Sequence, residues 1–214
     1  MSASTASKDP RATKAPLDIR FPPELRTASI TPRWSIVLTL TQDYLSNHCF
    51  FVGLYAREIA RMIGWKGDYG DLAFVAALHD VDETITGDIT GPAKDSILDK
   101  DGHREYVHRH LRLRMPHLYK ELQAIADKDP MLANEMQTIV HVADKLDALF
   151  FLLIEQRLGN TVVEVVIRRA RASLVSSWGR LPLKPYNATL LKELWDTHIE
   201  SAIKAHLTTG GFGI

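Results

Sequence analysis

The sequence predicts an all-α protein, on three observations. Apolar residues recur at helical spacing over most of the chain from Asp43 onward. Glycine, proline and aspartate punctuate those stretches where helices would start and stop. No segment alternates apolar and polar residues as a half-buried strand would. A length of 214 residues suits one domain, and about six or seven helices are expected around one core.

The elements follow in order. Residues 1–28 are polar and carry Pro10, Pro16, Pro22 and Pro23, which predicts a flexible arm. Leu45, Cys49, Val52, Ala56, Ile59 and Ile63 form one helical stripe, with Gly64 as its stop. After a Gly67–Gly70 turn, a second helix is expected from about Asp71 to beyond Asp80. Its run Leu72–Leu78 is apolar nearly all round, so it should be central and buried. Gly87, Gly91 and Pro92 mark a loop. A more polar helix should run from Arg104 to Lys128 with a break near Pro116. A long apolar helix should span Leu132 to Leu158, capped by Gly159-Asn160. Two further helices are expected over 162–178 and 189–207. The domain is thus placed at 29–208, with a loose tail at 209–214.

Composition narrows the function. A hydrophobic fraction of 45% and a charged fraction of 24% are those of a soluble globular protein. Lys+Arg and Asp+Glu balance at 26 each, so no broad basic field points to nucleic acid. No apolar run is long enough to span a bilayer, and the first residues lack the apolar core of a secretory signal. A single cysteine, Cys49, excludes an internal disulfide and fits a reducing compartment, so a cytoplasmic location is expected. Cys49 itself reads as a small buried group.

Four side chains carry the chemistry: His48, His79, Asp80 and Asp144. Each alone has an ordinary explanation. His48 could be a hydrogen-bonded core histidine, and Asp144 could pair with Lys145 or His141. The His79-Asp80 dipeptide is close to chance. Ionised carboxylates on greasy helices are costly, however, unless a cation or strong hydrogen bonds compensate. Convergence on one divalent metal would answer all four at once. Glu83 lies one helical turn past Asp80, and Asp88 follows in the glycine loop. A nearby carboxylate that does not bind the metal is what water activation needs.

These residues, with Arg33-Trp34 ahead of His48 and the stretch from Glu83 through Gly87-Asp88 to Pro92-Ala93-Lys94, resemble the HD-domain phosphohydrolase superfamily. Within it they resemble bacterial 5′-deoxynucleotidases and related phage enzymes that hydrolyse dATP and other deoxynucleoside triphosphates. The resemblance covers about Arg33 to Gly159. It implies a single HD-domain helical bundle and one divalent transition metal (Mn, Co, Fe or Zn) on His48, His79, Asp80 and Asp144. Glu83 and Asp88 would position and activate water. Arg33 would hold phosphate, Trp34 would select deoxyribose, Ile36 and Pro92 would line the pocket, and Lys94 would be a further phosphate contact. Asn47 stands where the deoxynucleotidases often have an acidic residue, and Ile36 is closer to the phage enzymes.

The leading expectation is a 5′-deoxynucleotidase acting on 2′-deoxynucleoside 5′-monophosphates. The alternative is a triphosphohydrolase releasing tripolyphosphate, with Lys94 and Arg104 as the extra cations. A more remote alternative is a non-catalytic helical module stapled by its metal, against which Glu83 and Asp88 argue. The expected partner is a deoxyribonucleotide, with neither nucleic acid nor membrane. A homo-oligomer is expected through the greasy face of Val162 to Ile167 or through the arm.

Overall fold

The computed structural model describes residues 23–90, 93, 96, 97, 99–182 and 188–208. Its helices are α1 (Leu45–Met62), α2 (Tyr69–Ala77), α3 (Glu83–Thr86), α4 (Lys100–Arg114), α5 (Pro116–Lys128), α6 (Pro130–Arg157), α7 (Glu164–Trp178), α8 (Ala188–Leu194) and α9 (Ser201–Thr208). A π-helical turn, Trp195–Glu200, joins α8 to α9. Among the described residues there is no strand, only an isolated bridge between Pro32 and Tyr44. The all-α expectation holds, and the four-residue α3 and the divided C-terminal helix add to the expected number.

The ends of these helices have local causes. Gly64 (φ 66°) and Gly159 (φ 97°) take the left-handed backbone that closes α1 and α6. Asp129 starts α6 by accepting from the N–H groups of Met131 and Leu132, with Pro130 at the first helical position. Met115, between α4 and α5, precedes Pro116, and the helix breaks there as expected. Pro23–Ser29, which sequence assigned to the arm, forms a 3-10 helix. Its Leu25 packs on the small cluster of Val81, Val107, Leu111 and Met115.

The second helix departs from expectation in three ways. It is capped by Asp68, which accepts from the N–H groups of Gly70 and Asp71. It also stops at Ala77 rather than running past Asp80. The carbonyl of Ala76, which would accept from Asp80 in a continued helix, accepts instead from His79 Nδ1 at 2.8 Å. Successive turns, Val81 N–H to Leu78 and Glu83 N–H to Asp80, carry the chain into α3. Nor is α2 buried all round: only Leu72 and Ala76 are, because Val75 and Leu78 line a cavity.

The core is a face of α6 packed between α1, α2 and α7. Val52, Ile59, Leu72, Ile139, Leu149 and Leu174 are all at most 1% exposed within it. Burying side chains of this size contributes about 1.5–3 kcal/mol each, which fixes the register of α1 against α6. That register sets His48 opposite Asp144 and Asp147.

Candidate active site

Three segments deliver the site. His48 lies on α1 and is 1% exposed. His79 and Asp80 sit on the turn after α2, and Asp144 and Asp147 lie one turn apart on α6. The Nε2 atoms of His48 and His79 are 3.3 Å apart. Asp80 Oδ2 is 3.7 Å from the first and 3.1 Å from the second, and Asp144 Oδ1 is 3.4 Å from His48 Nε2. The four side chains singled out in the sequence therefore converge. His48, His79 and Asp80 form the tightest set of potential metal donors, with Asp144 beside them.

The donor set fits a metal for a reason visible in its hydrogen bonds. His48 Nδ1 donates to Asp147 Oδ2 at 2.6 Å, and His79 Nδ1 donates to the Ala76 carbonyl. With both Nδ1 atoms committed as donors, both Nε2 atoms present lone pairs to each other and to two carboxylates. Only protons or a cation can satisfy that arrangement. Burial alone would lower both imidazole pKa values, yet both are raised, because Asp144 and Asp147 bond to His48 and Asp80 and Cys49 bond to His79. Burial would raise Asp80, but the bond to His79 and its charge bring it down to about 2. Burial likewise opposes a fall at Asp144, which His48 and Lys145 hold well below the usual carboxylate range. The site's field favours positive charge at its centre.

Five carboxylates (Asp43, Asp80, Glu83, Asp144, Asp147) face the two fixed cations Arg33 and Lys145. Lys145 pairs with Asp144 Oδ2 at 2.8 Å, the ordinary partner that sequence had offered; the other oxygen faces His48. Asp147 went unassigned in the sequence, although its place three residues after Asp144 was a usable signal. It acts on His48 from the far side of the ring. Asp147→Ala is expected to weaken divalent-metal binding by about 10- to 100-fold. A competition titration against a chelator measures this, and unchanged affinity would exclude the role.

Arg33 and Trp34 lie beside these residues. Arg33 Nη1 is 3.5 Å from Asp80 Oδ2, and its Nε is 3.4 Å from Asp43 Oδ2. Burial works against its charge, but Asp80, Asp144, Asp43 and Glu83 raise its pKa further. Trp34 holds a left-handed backbone (φ 64°), an outlier for a bulky residue. Three contacts keep it there. Asp88 Oδ2 accepts from Trp34 N–H at 3.0 Å, Asp43 Oδ2 accepts from Nε1 at 3.3 Å, and the indole stacks on Phe151 at 5.4 Å. Asp88 thus latches the Trp34 loop, a task the sequence did not suggest, and Asp43 was missed altogether. Glu83 opens α3 and is 2% exposed. Ile36 is 67% exposed, outside the walls of the main cavity. Pro92 and Lys94 lie outside the described residues. Cys49 is buried, as expected.

A cavity of about 790 Å³ opens from His79, Asp80 and Asp144 between α2, α4, α5 and α6. Its far wall carries Lys100, His103 and Arg104 from the start of α4, and His141 lies one turn before Asp144. No helix among the described residues is long and apolar enough to cross a membrane.

Known proteins are similar to this chain in fold or in sequence. Among solved structures, the cyanophage S-2L HD phosphohydrolase DatZ, bound to dA and one catalytic Zn2+ ion, superposes with a TM-score of 0.63 at 21% identity. The match covers 88% of this chain and 99% of that one. A conserved hypothetical protein from Pyrococcus furiosus matches with a TM-score of 0.53 at 18% identity, over 72% of this chain and 94% of its own. A dATP triphosphohydrolase of Salmonella phage PMBT28 is 27% identical over 143 residues, which is 62% of this chain and 66% of that protein. Residues 21–178 match the model of the YfbR-like 5′-deoxynucleotidase family. A match over that much of the sequence, on a helical frame that brings His48, His79 and Asp80 together with Asp144 beside them, makes the chain a member of the YfbR-like family and an HD-domain phosphohydrolase.

Proposed function

We propose that the protein hydrolyses 2′-deoxynucleoside 5′-triphosphates, dATP first among them, to the deoxynucleoside and tripolyphosphate. The observation that carries the choice of a triphosphate is the pair of cations, Lys100 and Arg104, in the wall of the cavity. Lys100 and Arg104 line the same cavity as His79, Asp80 and Asp144, and a triphosphate carries the charge to engage both, with Arg104 exchanging its exposed partner Asp101 for phosphate. The likeness to a phage dATP triphosphohydrolase supports the same choice. The second reading, a 5′-monophosphate substrate, is favoured by the family model.

His48, His79, Asp80 and Asp144 would hold one divalent transition metal, which supplies Lewis-acid polarisation and a water of lowered pKa. Glu83, buried beside Arg33, takes the proton of the attacking water. Water adds to the α-phosphorus as the bond to the 5′-oxygen breaks. The triphosphate leaves with the water's oxygen, and the 5′-oxygen takes up a proton in place of the one Glu83 accepted, so that the deoxynucleoside departs as its 5′-alcohol. Arg33 neutralises charge on the phosphoryl oxygens with forked hydrogen bonds. Trp34, fixed by Asp88, Asp43 and Phe151, presents its ring where the sugar would lie and crowds a 2′-hydroxyl.

Product analysis tests this directly. Metal-supplemented protein given dATP should yield tripolyphosphate and deoxyadenosine in equal amounts, with ATP turned over more slowly. Orthophosphate from dAMP, with dATP untouched, would replace this reading with the second one.

A further inference from the structure

The cavity is larger than its share of the substrate. It holds about 790 Å³, within the range of pockets that enclose a whole small-molecule ligand. Trp34, proposed above to face the sugar, and Phe151, on which it stacks, are not among its walls. The deoxynucleoside of dATP thus lies outside the cavity, and its three phosphates are all that would enter.

Helix α6 gives the direction in which the cavity continues. Phe151 lies seven residues after Asp144, and Gln137 lies seven residues before it. At about 1.5 Å per residue, each stands roughly 10 Å from Asp144 along the helix axis, on opposite sides. Val140, Gln137, Met136 and Ala133 line the cavity in succession as α6 runs back from Asp144 toward its N-terminus. Sugar and base held on the Phe151 side point away from this end. A group joined to them through the phosphate chain reaches it.

The chemistry of that end is not that of a phosphate site. Val75, Ile125, Ala126, Ala133, Met136 and Val140, from α2, α5 and α6, give it aliphatic walls, against which bare phosphate gains nothing. Gln123 on α5 and Gln137 on α6 line it as well, both exposed at its lip. Neither side-chain amide has a partner among the described residues. A primary amide offers a donor and an acceptor side by side, the pattern that pairs with the edge of a nucleobase, adenine above all. Aliphatic walls suit the faces of the same ring. We propose that the protein also hydrolyses dinucleoside polyphosphates, with the second nucleobase seated between α5 and α6 against Gln123 and Gln137. This extends the hydrolysis proposed above, on which it rests, to a larger leaving group. Water adds to the phosphorus next to the deoxynucleoside at Trp34, and the bond from that phosphorus to the 5′-oxygen breaks. The 5′-oxygen takes up a proton and leaves as the alcohol. The water's oxygen stays on a polyphosphate that still carries the second nucleoside. Lys100 and Arg104, in the same cavity, supply cations for the bridging phosphates.

Initial-rate assays of the metal-supplemented full chain on di(deoxyadenosine-5′) tetraphosphate and on dATP test the proposal. The first products from the dinucleotide should be deoxyadenosine and deoxyadenosine 5′-tetraphosphate in equal amounts. Gln137→Leu should raise KM for the dinucleotide about ten-fold, the cost of one lost amide–base pair, and leave dATP turnover unchanged. Ala133→Trp, which fills the same end, should do likewise, with the helical spectrum of each variant intact. Turnover of dATP with the dinucleotide left untouched overturns this proposal and leaves the triphosphohydrolase standing. Failure on both compounds, with dAMP hydrolysed, overturns the two together. A KM for the dinucleotide that neither variant changes would put the second nucleoside in solvent, against the proposal. Loss of dATP turnover in Gln137→Leu would instead place the substrate's own base at this end and overturn it as well.

Discussion

Glu83→Ala is expected to lower turnover by about 10³-fold, within the range for removal of a positioned general base, and to leave bound metal in place. Its place sets it apart from the side chains proposed to hold the metal. It is 2% exposed and opens α3, one turn past Asp80. Its charge acts on Arg33. Loss of Glu83 should not unfold the protein. Five carboxylates crowd two fixed cations here, and removing one relieves repulsion, so the melting temperature should hold or rise. Turnover of dATP, metal content and thermal melting of the same preparation decide the matter. Retained hydrolysis would remove Glu83 from the mechanism. Lost metal would turn it into a ligand or a ligand support.

Asp88→Ala should behave differently. Its carboxylate holds the amide of Trp34 across 54 residues of sequence. The left-handed backbone of Trp34 costs of order 1–3 kcal/mol and persists only while its surroundings enforce it. Without Asp88 the loop loses one of its three restraints, and the discrimination of deoxyribose from ribose that Trp34 would confer should relax along with the rate.

What could be read from the sequence follows from the range of the forces involved. Helix ends are local decisions, so Gly64, Pro116 and Gly159 fall where spacing and punctuation put them. The end of α2 was missed because the histidine that interrupts it takes a backbone carbonyl, an event that apolar periodicity does not register. Convergence of His48, His79, Asp80 and Asp144 could be argued from the cost of burying carboxylates. Asp43, Asp147 and Glu155 stayed silent because each acts on a partner that only folding brings near. Asp147 and Glu155 sit on the same long apolar helix as Asp144, and their partners lie 99 and 115 residues away.

Glu155 should matter most for the fold. It is fully buried, at 0% exposure, near the end of α6. It accepts from the N–H groups of Leu40 and Thr41, from the Thr41 hydroxyl, and from the Asn160 side chain, which in turn donates to the Leu38 carbonyl. One carboxylate thereby ties residues 38–41, and through them the Arg33-Trp34 turn, to the helix that carries Asp144 and Asp147. Glu155→Ala would strip several donors of their acceptor at about 1–3 kcal/mol for each that water cannot reach. Because the loop is partly exposed, a total loss of about 2–4 kcal/mol is expected. Burial would raise the Glu155 pKa, but the bonds from Thr41, Asn160 and Leu40 outweigh it, and the folded value is depressed. The sign follows: its stabilisation is full above the unfolded carboxylate range and fades as pH falls through that range toward the folded value. Wild-type melting temperature should therefore drop more steeply on acidification than that of Glu155→Gln, which holds no charge to lose. At neutral pH, Glu155→Gln should raise KM for dATP more than it lowers kcat, since it loosens the loop that follows Arg33 and leaves the proposed metal ligands and Glu83 in place. A Glu155→Gln variant with wild-type KM and wild-type acid stability would show that the loop holds its shape without the carboxylate.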